Sequence, residues 1–486
     1  MRVAGLNFNA LQLIFLLLGI VAGCRSPLGG NQTLLIQDAR GFVPVKVPKI
    51  PLLLPSDSLD PVYRGLHRYP LVKEFYRQSG YVPAWTDLQR PAADSLLQFI
   101  QNIRYHGLLP QNYHLAEIVS IDNGRLGTSR DLFRRDVLFT DAYLTLAQHL
   151  RWGCVNDPEK GADSLQIALL RKGFGEGAIM PGLRSQEPLS HGYRTLKEGL
   201  EMLLNAADPG ERSLLVEGIT LDTIPLHRKV RKMEINLERW KWEKAALGER
   251  HIFVNVPSFM IQVMVNDIPI LESRAIVGKS QNQTPVFSSI VECFVTYPYW
   301  HVPRKISVEE LLPLVQKDSS YLRRNHFDVL DRKGMLLHPD SIEWKKFSKN
   351  YFPVILRQRE GSENSLGIIK FVFDNPYAVF LHDTNAPGLF RQKRRALSHG
   401  CIRMEKAIAL AHFLVTGEIG KKSSRVENYL TRKLRHTVDL PEPIPIHVRY
   451  FTAEFRNGQV YLFDDIYEMD RKLADAMYPP APGQYY

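Results

Sequence analysis

The sequence predicts an α+β protein: an N-terminal helical domain followed by a β-rich, sandwich-like domain with a helical insertion. Three observations carry that reading. From about residue 60 to 225 apolar residues recur at helical spacing, most clearly in 131–151, where Phe133, Val137, Leu138, Ala142, Leu144, Leu146 and Leu150 are apolar and Gly153 follows. From residue 251 the period changes to short β-type runs, beginning with His251-Ile252-Phe253-Val254-Asn255-Val256 and Met260-Ile261-Gln262-Val263-Met264-Val265. Near the end, Asn457-Gly458 separates two alternating runs, a strong hairpin signal. The length of 486 residues suits two or three domains, and 44% hydrophobic with 23% charged residues is ordinary globular composition.

The chain opens Met1-Arg2, followed by a mostly apolar run from Leu6 to Ala22. A basic start, a short apolar core and small closing residues describe an export signal over 1–23. The run is short for a membrane-spanning helix, which takes about 20 residues. It ends Val21-Ala22-Gly23-Cys24, which resembles a lipobox, with Cys24 as the lipidated first mature residue. An uncleaved anchor with an incidental cysteine is the alternative. Either way the body is expected outside the cytoplasm, facing the periplasm from a membrane. Residues 24–60, with Pro44, Pro48, Pro51 and Pro55, are expected to form a tether.

Residues 61–225 make the expected helical domain. Asp136 and Asp141 on its long helix are expected to be solvated or capping carboxylates, and Cys154 a small buried thiol. The basic stretch 228–232 runs into Glu234–Trp242, read as one helix with a charged face. The β-rich domain is expected over 226–475, with Cys293 a structural residue of one strand and Asn266-Asp267 a turn. Between 305 and 360 helical signals return, with Ser307-Val308-Glu309-Glu310 spaced as a capping box; this insertion is a candidate lid. Residues 476–486 are expected to be a tail.

Lys plus Arg number 62 against 51 for Asp plus Glu, a formal charge of +11 that favours anionic partners. With an export signal, those partners are wall polymers or anionic lipid, and a nucleic-acid role is not expected. The four cysteines, Cys24, Cys154, Cys293 and Cys401, are too few and too dispersed for a disulfide scaffold or a zinc site, so no metal or other cofactor is expected.

Cys401 carries the chemistry. It lies in Ser398-His399-Gly400-Cys401-Ile402-Arg403, and Met404–Val415 downstream has helical spacing. The expectation is a thiol where a loop enters a helix, its thiolate favoured by the helix dipole and free amides. Gly400 permits close backbone approach, and successive amides at His399, Gly400 and Cys401 have the arrangement of an oxyanion hole. A thiol nucleophile needs a base. His399 is too near in sequence to turn onto the same sulfur, whereas His382 ends a strand 19 residues upstream. Taken from residue types alone, this pair remains a weak signal.

Further motifs strengthen it. His382, fifteen residues, and then Ser398-His399-Gly400-Cys401-Ile402-Arg403 resembles the signature of L,D-transpeptidases with the YkuD-type catalytic domain. Thr284-Pro285-Val286-Phe287, Pro298–Pro303, Asn364–Phe371, Leu381-His382-Asp383-Thr384, Tyr450-Phe451-Thr452 and Asp465-Ile466-Tyr467 are similar to motifs of its long YcbB-like branch. Gly80–Trp85 and His106–His114 resemble the helical scaffold domain of that branch. The resemblance implies that Cys401 attacks the bond before D-Ala in a peptidoglycan tetrapeptide stem, forms a thioester and releases D-Ala. A side-chain amine of a second stem then resolves the thioester into a 3→3 cross-link. It implies a base role for His382, oxyanion or motif support from Ser398, His399 and Gly400, and for Arg403 a hold on either the loop or a substrate carboxylate. Asp383 either orients a neighbour or caps a turn.

The sequence departs from the branch in two ways. Only about 35 residues separate Tyr193–Leu196 from the helix at Arg231–Trp242, too few for the peptidoglycan-binding module that many relatives carry there. Phe380 stands where relatives commonly have Tyr. The cluster Arg391-Gln392-Lys393-Arg394-Arg395 is either a solvated loop or a groove wall for anionic wall polymers. Trp85 and Trp300 are expected in the core. The alternatives to cross-linking are transfer of the acyl-enzyme to water or to a protein amine, or a non-catalytic peptidoglycan-binding lipoprotein.

Overall fold

The computed structural model describes residues 32–38, 41–47, 63–86, 89–123, 129–155, 162–216, 225–243 and 247–478. The expected export signal and Cys24 lie outside them. Within the expected tether, Gln32–Asp38 and Gly41–Val47 pair as an antiparallel hairpin. No helix of the described residues is long and apolar enough to cross a membrane. The described residues form two compact units: those up to 243 with 454–461 and 473–478, and those from 247 to 453 with 462–472.

The first unit is helical, as its periodicity predicts. Its longest helix, Ser129–Trp152, buries Val137, Leu138, Phe139, Ala142, Tyr143, Leu144, Leu146, Ala147 and Leu150, residues that point in all directions around the helix axis. Any polar group on this central helix must therefore find a partner inside the protein. Asp136 accepts from the backbone N–H groups of Ala84 (3.1 Å) and Trp85 (2.7 Å) and from the Tyr76 hydroxyl. Asp141 accepts from the N–H groups of His67 (2.9 Å) and Arg68 (2.7 Å). Both carboxylates cap backbone, but neither is solvated as one expectation had it. Burial raises the Asp136 carboxyl to about 6 against the pull of those donors.

The domain boundary differs from the expected 225/226. Helix Pro225–Lys241 belongs to the first unit, and its charged side is not a solvated face. Glu234, Glu238 and Lys241 are buried. Glu234 receives Arg104 in a two-pronged ion pair (Nε–Oε1 2.6 Å, Nη2–Oε2 3.3 Å) and the Tyr478 hydroxyl. Tyr478 follows helix Met469–Met477, whose Leu473, Ala474 and Met477 pack with Ile235. The expected tail from 476 is thus structured as far as 478. Cys154 is half-buried against the helical core, where burial holds its thiol protonated.

The second unit is built on one nine-stranded sheet: β1 (Arg250–Asn255), β2 (Met260–Val265), β3 (Ile268–Gly278), β4 (Phe287–Thr296), β5 (Ile369–Phe373), β6 (Leu381–His382), β7 (Ala396–Ser398), β8 (Ile402–Met404) and β9 (His436–Arg449). Its order is β7-β3-β8-β6-β5-β4-β9-β1-β2, and β2 also pairs with β3. That last pairing closes the sheet: the first half of β3 lies on β2, while its second half passes to β8 and β7. Asn266 and Asp267, both at positive φ (49° and 65°), make the tight β2–β3 turn. Alternating apolar residues such as Ile252, Val254, Ile261, Val263, Phe294, Phe371 and Leu381 fill the interior with helix Ala407–Thr416.

The insertion is more than helices. Trp300–His301, Phe327–Leu330, Leu336–Leu337 and Ile355–Gln358 form a separate four-stranded sheet. A core of Val302, Val308, Leu311, Leu312, Val315, Leu322, Val329, Trp344 and Leu356 packs with it. The strands are four residues or fewer, below the length at which alternation is legible. The capping box does not form. The helix starts at Arg304, so Ser307 is already inside it, and Glu310 is left to reach elsewhere.

The buried pair in the helical unit gives a stability test. Replacing Arg104 by Met leaves Glu234 buried with its main cation gone. Urea unfolding of that variant is expected to show a loss of about 3–5 kcal/mol. A loss below about 1 kcal/mol, the range of exposed pairs, would contradict the assignment.

Candidate active site

Cys401 sits between β7 and β8, not at a helix entrance. Helix Ala407–Thr416 begins six residues later, with strand Ile402–Met404 in between, so the expected helix-dipole stabilisation of the thiolate is absent. What positions the sulfur is the sheet. Strands β6 and β8 run parallel, with Leu381 opposite Ile402 and His382 opposite Arg403. The Ile402 N–H donates to the Phe380 carbonyl at 2.9 Å. Nineteen residues of chain thus bring Cys401, immediately before β8, next to the strand that ends at His382, as a parallel connection allows.

The approach to Cys401 is fixed by a chain of hydrogen bonds. Gly400 has φ +116°, a conformation side chains resist. Its carbonyl accepts from Thr284 Oγ1 (2.8 Å), and that hydroxyl accepts from the Gly278 N–H (2.9 Å). The Tyr467 hydroxyl donates to the Gly278 carbonyl (2.7 Å) and accepts from the Thr284 N–H (3.1 Å). The Tyr450 hydroxyl accepts from the Tyr467 N–H (2.9 Å) and donates to Asp465 (2.7 Å). Ser398 closes the loop on itself: its hydroxyl donates to the Cys401 carbonyl (2.6 Å) and accepts from the Gly400 N–H (3.1 Å). One of the three expected oxyanion amides is therefore already engaged. Thr284, Tyr450, Asp465 and Tyr467 occur in the motifs quoted above, but nothing in their spacing assigns them this bracing role.

His382 is buried, and its Nδ1 lies 2.6 Å from the Asp383 carbonyl. That contact places the ring proton on Nδ1 and the lone pair on Nε2. Burial, helped by the Arg403 charge, lowers its pKa to about 3 against the upward pull of the Asp383 and Leu366 backbone. Burial raises the Cys401 thiol, opposed by a backbone hydrogen bond at Phe380 and by the charges of Lys370 and Arg403. Both groups therefore rest neutral, and no hydrogen bond joins them among the described residues.

The other expected residues separate by role. The Asp383 carboxylate accepts from the Ile368 N–H (3.0 Å) and packs against Gly367, so it caps a turn. His399 pairs through Nε2 with Glu310 of the insertion at 2.5 Å and is turned away from a base role. Arg403 is half-buried, and its guanidinium has no hydrogen bond or ion pair among the described residues. Arg395 ties down carbonyls of Ala275 (3.1 Å), Phe259 (3.1 Å) and Gln392 (2.9 Å), while Arg391, Lys393 and Arg394 are exposed. Lys370 was not singled out by the sequence. It faces His382 across β5 and β6, and its ammonium lies 3.5 Å from the Phe380 ring centre. No cluster of three or more His, Cys, Asp or Glu suited to a metal occurs among the described residues.

A half-buried thiol next to the strand that carries an imidazole, with a backbone-braced turn before it, offers a nucleophile and a proton acceptor in one region of the sheet. Comparison with known proteins identifies the family. The L,D-transpeptidase catalytic domain, YkuD, matches residues 249–427, and the Scaffold domain matches residues 70–200. A Haemophilus influenzae protein named "Putative L,D-transpeptidase" is 30% identical over 417 residues, covering 83% of this chain and 79% of that protein. The chain belongs to the L,D-transpeptidase family.

Two outcomes follow from the geometry. Because the thiol is held above its ordinary range, alkylation of Cys401 by iodoacetamide is expected to accelerate steadily as pH rises toward 9 and beyond. A rate already at its plateau at pH 7 would mean a preformed thiolate. Thr284→Val leaves the Gly400 carbonyl and Gly278 N–H unpaired, so it is expected to cost about 1–3 kcal/mol of stability and to slow acylation of Cys401. Acylation at the wild-type rate would remove Thr284 from the brace.

Proposed function

We propose that the protein is a peptidoglycan L,D-transpeptidase that makes 3→3 cross-links through a thioester on Cys401. The observation that carries this is the parallel pairing of Leu381-His382 with Ile402-Arg403, which sets Cys401 directly before the strand that neighbours His382. The Cys401 sulfur attacks the carbonyl between the L-centre of diaminopimelate and D-Ala of a donor stem. Because both groups rest neutral, the thiol proton passes to His382 Nε2 as attack proceeds, not before it. The free amides of His399 and Cys401 face the developing oxyanion. The imidazolium gives its proton to the departing amine, D-Ala leaves, and the acyl group remains on sulfur. The side-chain amine of a second stem then attacks the thioester, His382 takes its proton, and the thiol is regenerated. Arg403, with no partner among the described residues, meets a stem carboxylate. The resemblance of Val21-Ala22-Gly23-Cys24 to a lipobox supports a lipid-anchored enzyme facing the periplasm from an envelope membrane.

Incubation with a tetrapeptide muropeptide, followed by mass spectrometry, tests the reaction. Loss of D-Ala together with a dimer is expected. Loss without a dimer would make the enzyme an L,D-carboxypeptidase. His382→Ala is expected to lower the rate by about 10²–10⁴, and Cys401→Ala to abolish it; product from Cys401→Ala would sink the mechanism.

A further inference from the structure

The helical unit contains a polar cavity of about 280 Å³ lined by His67, Arg68, Asn112, Thr145, Gln148 and His149. Two of these side chains are deeply buried and unsatisfied. Thr145 is 2% exposed and Gln148 7%, yet Thr145 Oγ1 and Gln148 Oε1 have no hydrogen-bond partner among the described residues. Each such group costs about 1–3 kcal/mol unless something outside the chain completes it. They stand three residues apart on the central helix, with His149 one position beyond Gln148, so all three share one face.

The chemistry of the lining narrows the occupant. His149 is held neutral by burial, its pKa pressed to about 3, and its Nδ1 is engaged by the Tyr113 hydroxyl at 2.9 Å. Burial also lowers His67, whose ring stacks on His114 with 4.9 Å between centroids. The nearby carboxylate of Asp141 is taken up by the His67 and Arg68 amides and by His114. Apart from Arg68, the wall offers amides, a hydroxyl and neutral rings. Such a wall suits a ligand of hydroxyl and amide groups better than a metal ion or a polyanion. The volume falls near the lower end for ligand sites, about 300 Å³, which suits one sugar ring.

We propose that this cavity is a saccharide subsite that takes one N-acetylated hexosamine of a glycan strand. The choice of glycan rests on the peptidoglycan reading above, and it would give the chain a hold on substrate where many relatives use a separate binding module.

The test uses the full chain and the stem-free N-acetylglucosamine–N-acetylmuramic acid disaccharide, followed by calorimetry and ligand-observed NMR. Wild type is expected to bind, and Thr145→Val with Gln148→Leu to weaken binding by about tenfold or more. The same variant, free of sugar, is expected to melt at a higher temperature, because two unsatisfied groups are gone. Alkylation of Cys401 by iodoacetamide should stay at the wild-type rate. Asn112→Ala, at a half-buried position, tests the same wall without touching the core. Wild type that fails to bind at millimolar disaccharide, or variants that bind like wild type, would overturn the subsite. Cross-linking by a wild type that ignores the disaccharide would overturn only this inference. Disaccharide binding by a wild type that never releases D-Ala would overturn only the proposed reaction.

Discussion

The parallel pairing of Leu381-His382 with Ile402-Arg403 is the constraint on which the site depends. Two short strands, separated by a long excursion of chain, must lie side by side for an imidazole and a thiol to become neighbours. Neither strand could hold that register alone, since the pairing is two residues long. It is held because β5 and β3 flank the pair in a sheet that closes on itself, so a slip at one strand would have to propagate round the whole closure. The brace through Gly278, Thr284, Gly400 and Tyr467 adds a second fixed point behind the nucleophile, built from hydroxyls whose capacity is used in both directions.

This arrangement changes the electrostatic account of Cys401. A thiol at a helix N-terminus would be activated in the resting protein. A half-buried thiol at the start of a strand, with a neutral histidine and the charges of Lys370 and Arg403 nearby, is activated only when the proton has somewhere to go. A protonated thiol is a poor nucleophile, and is spared by oxidants and electrophiles, until substrate excludes water and supplies the reaction.

Long apolar patterns at helical spacing and special turns were legible in the sequence. Helix Ser129–Trp152, the Asn266-Asp267 turn and the Asn457-Gly458 hairpin all follow from local chemistry. Cys401 and His382 were legible as a pair only through the motifs around them, because nothing local to either residue announces the other. The parts that were not legible depend on tertiary burial. The charged half of helix Pro225–Lys241 reads as a solvated face until Arg104 and Tyr478, distant in sequence, arrive at Glu234. The small strands of the insertion are too short for a period, and Ser307 and Glu310 have capping-box spacing one turn inside a helix that has already begun. Polar residues on the central helix likewise reveal their burial only once helices surround them, and that is where the sugar-sized cavity lies.

The central claim, that Cys401 carries the acyl group, is tested most directly by trapping the intermediate. Wild-type protein is mixed briefly with a tetrapeptide donor lacking an acceptor amine, quenched in acid, digested and mapped by mass spectrometry. The account predicts a tripeptide adduct on the Cys401 peptide that hydroxylamine removes, as a thioester requires. Release of D-Ala with the adduct on another residue, or an adduct that hydroxylamine leaves in place, would contradict it.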